Sequence, residues 1–531
     1  MFQASTICFC EKPDLSHSND IIPKKDDEIY GSCVIGVDSM EISSRPIVFH
    51  FMVDVSGSMS DVTENGRTKM QLIVHTLTNM VHYFASQTQN VSIQVKGFDD
   101  NIHPYIDLVE VTAKNVDVLA AKLLKMRPQN LTNIELALET MKNDIEKIAS
   151  IENTTYKQVG IFLTDGDATT GETCSKQLGE IVPDSIPFHF IALGKHHNPY
   201  LMHHLGHRTK YTNNWFINEL EQTGNVYGEI LYNELNRIAE NVTLEVKGGR
   251  IYEYYTNQFV TQLSIGSIYA DTEKHYHILA DNDECSVLLR GSYCVETNDS
   301  TFEVEVSDVP SLYTPTQSDD GFVFNHYKPF FKTIQYYRLC TQMYMAKARI
   351  DFLDGLPEDY QYGIDERLQR LCHTNGRYLD ASGMNEFLTH MDLDMNVSKL
   401  TENEYMKSLC DDIKVLIHTL GSMSQIKYAA LREDVQGQER TSNTVTDVEN
   451  DYDKAEYGNG ILQKPVLSRS ATTPYRTPGR VDLMDTMSQD REDSDPMAVQ
   501  TSMDQDIFAG FRLTPPPVIR RSQNISSSSN V

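Results

Sequence analysis

In the stretch FHFMVDVSGSMSD, residues 49–61, side-chain oxygens stand at every second position: Asp54, Ser56 and Ser58, with Gly57 between the serines. The segment NLTNIELAL places Thr132 just before a helical pattern, and VGIFLTDGD ends an apolar run on Asp165. Two carboxylates and three hydroxyls are hard oxygen donors with no histidine or cysteine among them. Such a set suits Mg²⁺, Mn²⁺ or Ca²⁺ better than zinc. Each piece alone has a plainer use. Asp54 or Ser56 can cap the following helix, and Thr132 can cap NIELAL. Asp165 with Gly166 can make an ordinary turn. All three together, in this order, favour one shared cation site, with Gly57 and Gly166 allowing tight backbone turns.

The elements that must carry these residues follow from periodicity. PIVFHFMV, VSIQVKGF, QVGIFLTD and PFHFIALG are short apolar runs that predict buried strands. Between them lie helical patterns. In KMQLIVHTLTNMVHYFASQ one face holds Met70, Ile73, Leu77, Met80 and Phe84; in NIELALETMKNDIEKIAS, Ile134, Leu138, Met141, Ile145 and Ile148 recur at steps of four and three. VDVLAAKLLKM is a third predicted helix. Apolar strands bracketed by helices predict an α/β domain over residues 45–240, a doubly wound and mostly parallel sheet covered on both faces. Ligands of such sheets bind outside the carboxyl ends of the strands, which is where Asp54 and Asp165 leave the core.

Elsewhere the texture changes. Residues 1–44 are weakly patterned and predict a flexible arm or an added edge strand. From 241 to 326, VTLEVKGGRIYEYY, QFVTQLSIGSIYA and KHYHILA are β-branched, aromatic and broken by Gly and Asp, which predicts an antiparallel β module. From 327 to 440 helical patterning returns. Residues 441–531 are rich in Ser, Thr, Pro, Asp and Gln and cannot bury enough apolar surface to offset their ordering entropy, so a disordered tail is expected.

The chain has 531 residues and a formal net charge of -29, and the tail contributes little of that excess, with 13 acidic against 9 basic residues from 441 onward. A surface this acidic repels phosphate backbones and anionic lipid, so neither nucleic acid nor membrane is an expected partner. The opening MFQASTICFCEKPDLSHSND lacks the basic region of a signal peptide, and no later run has the length of a membrane span. Nine scattered cysteines with no C-x-x-C pair fit reduced thiols. An intracellular, cytoplasmic location is expected.

DVSGSM, LTNIELAL and LTDGD resemble the three loops of the metal-ion-dependent adhesion site (MIDAS) of von Willebrand factor A (VWA) domains, over roughly residues 45–240. The resemblance implies that Asp54, Ser56 and Ser58 form the first loop, with both serines coordinating directly. It places Thr132 in the second loop and Asp165 in the third, the carboxylates often acting through water. It also implies an open coordination position that a carboxylate of a protein partner fills. Neutral hydroxyl ligands leave much of the cation's charge unneutralised, which is why an anionic ligand is attracted. More distantly, YGEILYNELNRIAENVTLEV, LSIGSIYADTEKHYHIL and the later helices resemble the regions after the A domain in plant RING-type ubiquitin ligases and in Hint-associated A-domain proteins. Cys8 and Cys10 fall far short of the ligand set a RING needs for two zinc ions, and no separate Hint block is evident.

The expected function is therefore a metal-dependent protein-binding module or scaffold that recognises an acidic residue of its partner. One alternative is a substrate-recognition component of a ubiquitin-ligase-like assembly lacking its own RING. Another is a Mg²⁺-dependent enzyme, but a phosphotransferase of the haloacid dehalogenase type needs a second acid where this chain has Ser56. No G-x-x-x-x-G-K-[ST], H-E-x-x-H or G-x-S-x-G element occurs either, so a non-enzymatic role is expected. His203 and His207, with His196, His197 and His204 near, could form a zinc site, but a helix after PFHFIALG explains them better. His50 and His189 read as satisfied core residues. In the tail, Ile507, Phe508 and Phe511 offer a short docking motif for a second partner, beside Thr-Pro pairs at Thr473, Thr477 and Thr514.

Overall fold

Two strands, β1 (Ala4–Cys10) and β2 (Ile29–Gly36), precede the apolar run, which forms β3 (Ile47–Asp54) and is buried at all its positions. The computed structural model describes residues 4–10, 29–36, 46–62, 66–86, 90–150, 156–193, 197–206, 208, 211–217, 220–269, 273–281, 285–294, 301–306, 331–354, 381–397, 404–420 and 429. From β3 the chain continues through α1 (Lys69–Ser86), β4 (Val91–Phe98), β5 (Ile102–Glu110), α2 (Val116–Leu123), α3 (Ile134–Ala149) and β6 (Lys157–Thr164). Next come α4 (Ser175–Ile181), β7 (Phe188–Leu193), α5 (Pro199–Gly206), β8 (Thr212–Ile217) and α6 (Leu220–Leu235).

These strands form one sheet in the order β5-β4-β3-β6-β7-β8, parallel except for the β4–β5 pair. Alternation along β3 sends Ile47, Phe49, Phe51 and Val53 into a core shared with α1, α2 and α6. Met52 points the other way, into a core shared with α3, α4 and α5. Helices thus cover both faces, which is why β3, β6 and β7 read as largely apolar runs, interrupted at His50, Lys157–Gln158 and His189. The predicted helical faces are buried: Met70, Ile73, Leu77, Met80 and Phe84 on α1, and Ile134, Leu138, Met141, Ile145 and Ile148 on α3. The α/β class is as expected. Two strands had no apolar signature. β5 is an antiparallel edge strand in which only Ile106 is buried and Pro104 costs no needed donor. β8 opens with the polar run Thr212–Asn214 before Trp215.

β9 (Arg237–Lys247) follows α6 almost directly and starts ahead of position 241. After it come β10 (Gly249–Glu253), β11 (Gln258–Val260), β12 (Gln262–Tyr269), β13 (Glu273–Ala280), β14 (Ser286–Tyr293) and β15 (Thr301–Val306). They make two antiparallel sheets, β1-β2-β13-β10-β11 and β12-β9-β14-β15, which share a core of residues such as Leu244, Ile251, Ile278 and Val287. Within residues 1–44, β1 is an edge strand of its sheet, while β2 lies inside it. The neighbours of β2 are β1 and β13, with Cys33 and Ile35 in that core and Tyr30 on the opposite face, hydrogen-bonded to His277 at 2.9 Å.

The helices α7 (Phe331–Asp354), α8 (Ala381–Val397) and α9 (Glu404–Thr419) pack on that opposite face through Tyr336, Met391 and Leu409. Met345, Met384 and Ile413 of the same helices reach the α3–α5 side of the parallel sheet. Among the described residues, no helix is long and apolar enough to cross a membrane. The tail 441–531, with its Thr-Pro pairs and the Ile507–Phe511 motif, lies outside the described residues, as do Cys8 and Cys10 side chains, His196 and His207.

Candidate metal centre

β3 and β6 run side by side in parallel register, Val53 opposite Leu163, so their carboxyl ends deliver Asp54 and Asp165 to one edge of the sheet. Both carboxylates are buried, at 0% and 3% exposure. The Asp54 Oδ1 accepts the backbone N–H of Ser56 at 2.8 Å, which turns the chain sharply as it leaves the strand. The other oxygen of Asp54 accepts the Thr164 hydroxyl at 2.7 Å. Ser58 Oγ donates to Asp165 Oδ1 at 2.7 Å and lies 3.1 Å from Ser56 Oγ. A hydroxyl has one proton, and Ser58 gives its own to Asp165, so Ser56 is the donor across the serine pair. Of these groups only Ser58 is exposed; Ser56 is buried.

Thr132 reaches the same edge through the backbone of its loop. Gly57 N–H donates to Asn130 O at 3.1 Å, and Gln129 N–H donates to Val55 O at 2.7 Å, tying this loop to the first. The Thr132 carbonyl accepts Thr169 N–H at 2.9 Å and Thr170 N–H at 3.2 Å, tying it to the third. The cap of α3 is Asn133, whose side chain accepts Leu136 N–H at 3.0 Å, so Thr132 is free of that duty. The expectation for the glycines is corrected. Neither Gly57 nor Gly166 has a left-handed backbone, and an added Cβ would meet its nearest neighbours at ordinary distances of 3.4 and 4.0 Å. The constrained glycine is Gly171, with φ +74°, where a Cβ would sit 2.6 Å from the capping oxygen of Asn133.

Sequence reasoning missed three groups here. Thr164, one residue before Asp165, holds Asp54 through its hydroxyl. Asp99, at 0% exposure, supports the second loop: its side chain accepts Asn130 Nδ2 at 3.1 Å and His103 Nε2 at 2.9 Å, and its carbonyl accepts Asn133 N–H at 2.8 Å. Burial alone would raise the Asp99 carboxyl, but His103 and the Asn101 N–H hold it below the usual range. Lys69 is the third. Its Nζ lies 2.7 Å from Asp165 Oδ2 and 3.1 Å from Asp61 Oδ2. Burial would pull this ammonium down, yet the hydrogen bond and charge of Asp165, with those of Asp61, keep it above the ordinary lysine value. The Asp54 carboxyl is pushed up to about 6, first by burial and then by the charge of Asp165. Two buried acids with one lysine between them leave the crevice short of positive charge.

The von Willebrand factor type A domain family model matches residues 49–229. This segment is a VWA domain. No curated protein matches the chain. Among solved structures, the chain is similar to a von Willebrand factor type A protein from Catenulispora acidiphila, at 12% identity and TM-score 0.44, covering 72% of this chain and 84% of that one. It is also similar to the ArnB paralog VWA2 from Sulfolobus acidocaldarius, at 14% identity and TM-score 0.43, covering 81% and 98%. A third is proximal thread matrix protein 1 from the mussel byssus with a zinc-occupied MIDAS motif, at 12% identity and TM-score 0.30, covering 38% and 51%.

Within the VWA domain, His203, His204, His50 and His189 have structural partners. His203 stacks on Tyr255 with ring centroids 5.9 Å apart, and His204 meets the Tyr200 ring edge-on at 4.6 Å. His203 is held well below its usual range by burial and by nearby Arg349, so it stays neutral in this joint between α5, β10–β11 and α7. His50 bonds Gln94 and Gln158 at 3.0 and 2.9 Å. His189 accepts the Trp215 indole N–H on Nδ1 at 3.1 Å, which leaves Nε2–H to donate to Glu234 at 3.1 Å. Among the described residues, no three His, Cys, Asp or Glu side chains gather to hold a metal ion. The candidate centre thus rests on two carboxylates supplemented by hydroxyls, a hard-donor set that fits a divalent cation of the Mg²⁺ type.

Proposed function

We propose that Asp54, Ser56, Ser58, Thr132 and Asp165 hold a divalent cation, Mg²⁺ or else Mn²⁺ or Ca²⁺, and that this VWA domain is a protein-binding module whose partner supplies a carboxylate. VWA domains are commonly protein-interaction modules, and those with a MIDAS bind divalent cations. The observation that supports the reading most is the chain of contacts Ser56–Ser58–Asp165 beside a buried Asp54 whose carboxyl is pushed up by burial and by the charge of Asp165. The cation, when bound, supplies a counter-charge and an electrophilic centre. The protein's part is orientation: Thr164 and the Ser56 N–H fix Asp54, and Ser58, the exposed member, stands where a partner can approach. Beside it, Leu131 is 52% exposed on the second loop, an apolar contact for a partner at the rim.

A cation that binds only the folded chain stabilises it by roughly 2.7 kcal/mol at 100 times its dissociation constant. The parent protein should therefore melt higher in millimolar Mg²⁺ than in EDTA, and Asp54→Ala should melt at one temperature in both. Capture of a protein partner should be lost in EDTA and in Asp54→Ala. Identical parent melts in Mg²⁺ and EDTA, with capture indifferent to EDTA, would refute the metal centre and leave the serines as turn residues. In the same reading the 441–531 tail is a separate docking segment for a second partner.

A further inference from the structure

We infer that Lys69 is a built-in counter-ion of the candidate metal centre, competing with the divalent cation for Asp165 and holding cation affinity down. The inference rests on the metal-binding reading above. Three features of the structure carry it. Lys69 Nζ lies 2.7 Å from Asp165 Oδ2, while the other Asp165 oxygen accepts Ser58, so the ammonium is bonded to a proposed ligand group itself. Its side chain is only 13% exposed and that of Asp165 is 0% exposed, so water screens this pair poorly. Its other partner, Asp61, has a side chain 64% exposed and adds a well-screened charge. Counted over the buried groups, Asp54 and Asp165 bring two negative charges and Lys69 returns one.

The position of Lys69 in the helix points the same way. It is the first residue of α1, whose first turn contains no acid. A cation is unfavourable at the positive end of a helix, so Lys69 gains nothing from its own element and is held by the loop acids. A dication brought to Asp54 and Asp165 must either share Asp165 with this ammonium or displace it. Both options weaken cation binding compared with a neutral side chain at position 69.

A purely structural tether predicts the opposite result. If Lys69 only ties the first loop to Asp165, its loss loosens the site and weakens cation binding. Calorimetric titration of the full chain with Mg²⁺ and Mn²⁺ separates the two. Lys69→Met should bind either cation more tightly than the parent, on the order of tenfold, as expected for removing one positive charge beside a dication in a poorly screened crevice. Lys69→Arg, which keeps the charge, should stay within about twofold of the parent by the same reasoning. Should Lys69→Met fail to fold, Lys69→Gln carries the same expectation, because its amide can still donate to Asp165. Unchanged or weaker binding in the neutral variants, with a parent that binds, overturns the counter-ion role alone. If the parent binds neither cation, the metal centre itself is refuted and this inference falls with it.

Discussion

Without a cation, Asp54 should make the VWA domain less stable than it need be, and the size of the effect can be worked out. The Asp54 carboxyl titrates at about 6 in the folded chain against 3.8 for an ordinary aspartate. That separation amounts to roughly 3 kcal/mol. The folded state binds the proton more tightly, so stability is fully present below 3.8 and is lost as pH rises through about 6. Asp54→Asn removes the charge. Its oxygen can still accept the Ser56 N–H and its amide can donate to Thr164, but weaker neutral hydrogen bonds replace charged ones at a cost of about 1 kcal/mol. In EDTA at pH 7.5 the variant should therefore be more stable than the parent by roughly 2 kcal/mol, and the gap should close towards pH 4. In Mg²⁺ the order should reverse, because only the parent gains about 2.7 kcal/mol at 100 times the dissociation constant. The assay is urea unfolding followed by the emission of Trp215. It is the single tryptophan of the chain, 1% exposed in the core of the parallel sheet, so it reports this domain and not the β sheets. A variant less stable than the parent in EDTA, with a gap that does not change between pH 7.5 and 4, would refute the reasoning.

Two further outcomes are expected. Burial alone would raise Glu234, but Arg237 and His189 hold it down to about 2, so its contribution is present at neutral pH and is lost only as pH falls from the ordinary carboxylate value towards 2. Glu234→Gln leaves the buried Arg237 only the longer, partly exposed contact to Glu240 at 3.7 Å and should cost about 3 kcal/mol in the same Trp215 assay; a loss under 1 kcal/mol would show that the pair is dispensable. A chain ended after residue 440 keeps every described core residue, including buried Ala429. It should melt cooperatively and take up Mg²⁺ like the full chain, and loss of the cooperative melt would make the tail part of the fold.

Much of this protein could be read from its sequence wherever burial on both sides of an element leaves a largely apolar record. β3, β6 and β7 sit in the middle of the sheet between two helical layers, so every position is buried and most are apolar. β5 and β8 sit at its edges, where one neighbour and partial cover suffice, and their sequences carry no such record. β2 left no such record for another reason. Its partner β13 lies more than two hundred positions on, Tyr30 opposite Leu279, and no local pattern announces so distant a pairing.

The candidate site divides along the same line. Asp54, Ser56, Ser58, Thr132 and Asp165 could be proposed because strand ends can be located from the apolar runs and because oxygen donors are recognisable by type. Their counter-ion could not be. Lys69 meets Asp165 across 96 positions, from the start of a helix that looks like any amphipathic helix when judged by its buried face. One local signal did exist: a lysine opening a helix with no acid in its first turn is in the wrong place for the helix dipole. Such a residue needs a carboxylate from elsewhere in the fold, and here the nearest ones lie on the two loops at the sheet edge, Asp61 and Asp165. A misplaced charge at a helix start is therefore a pointer to the crevice it faces, and at Lys69 it leads to Asp165, the acid a cation would have to win.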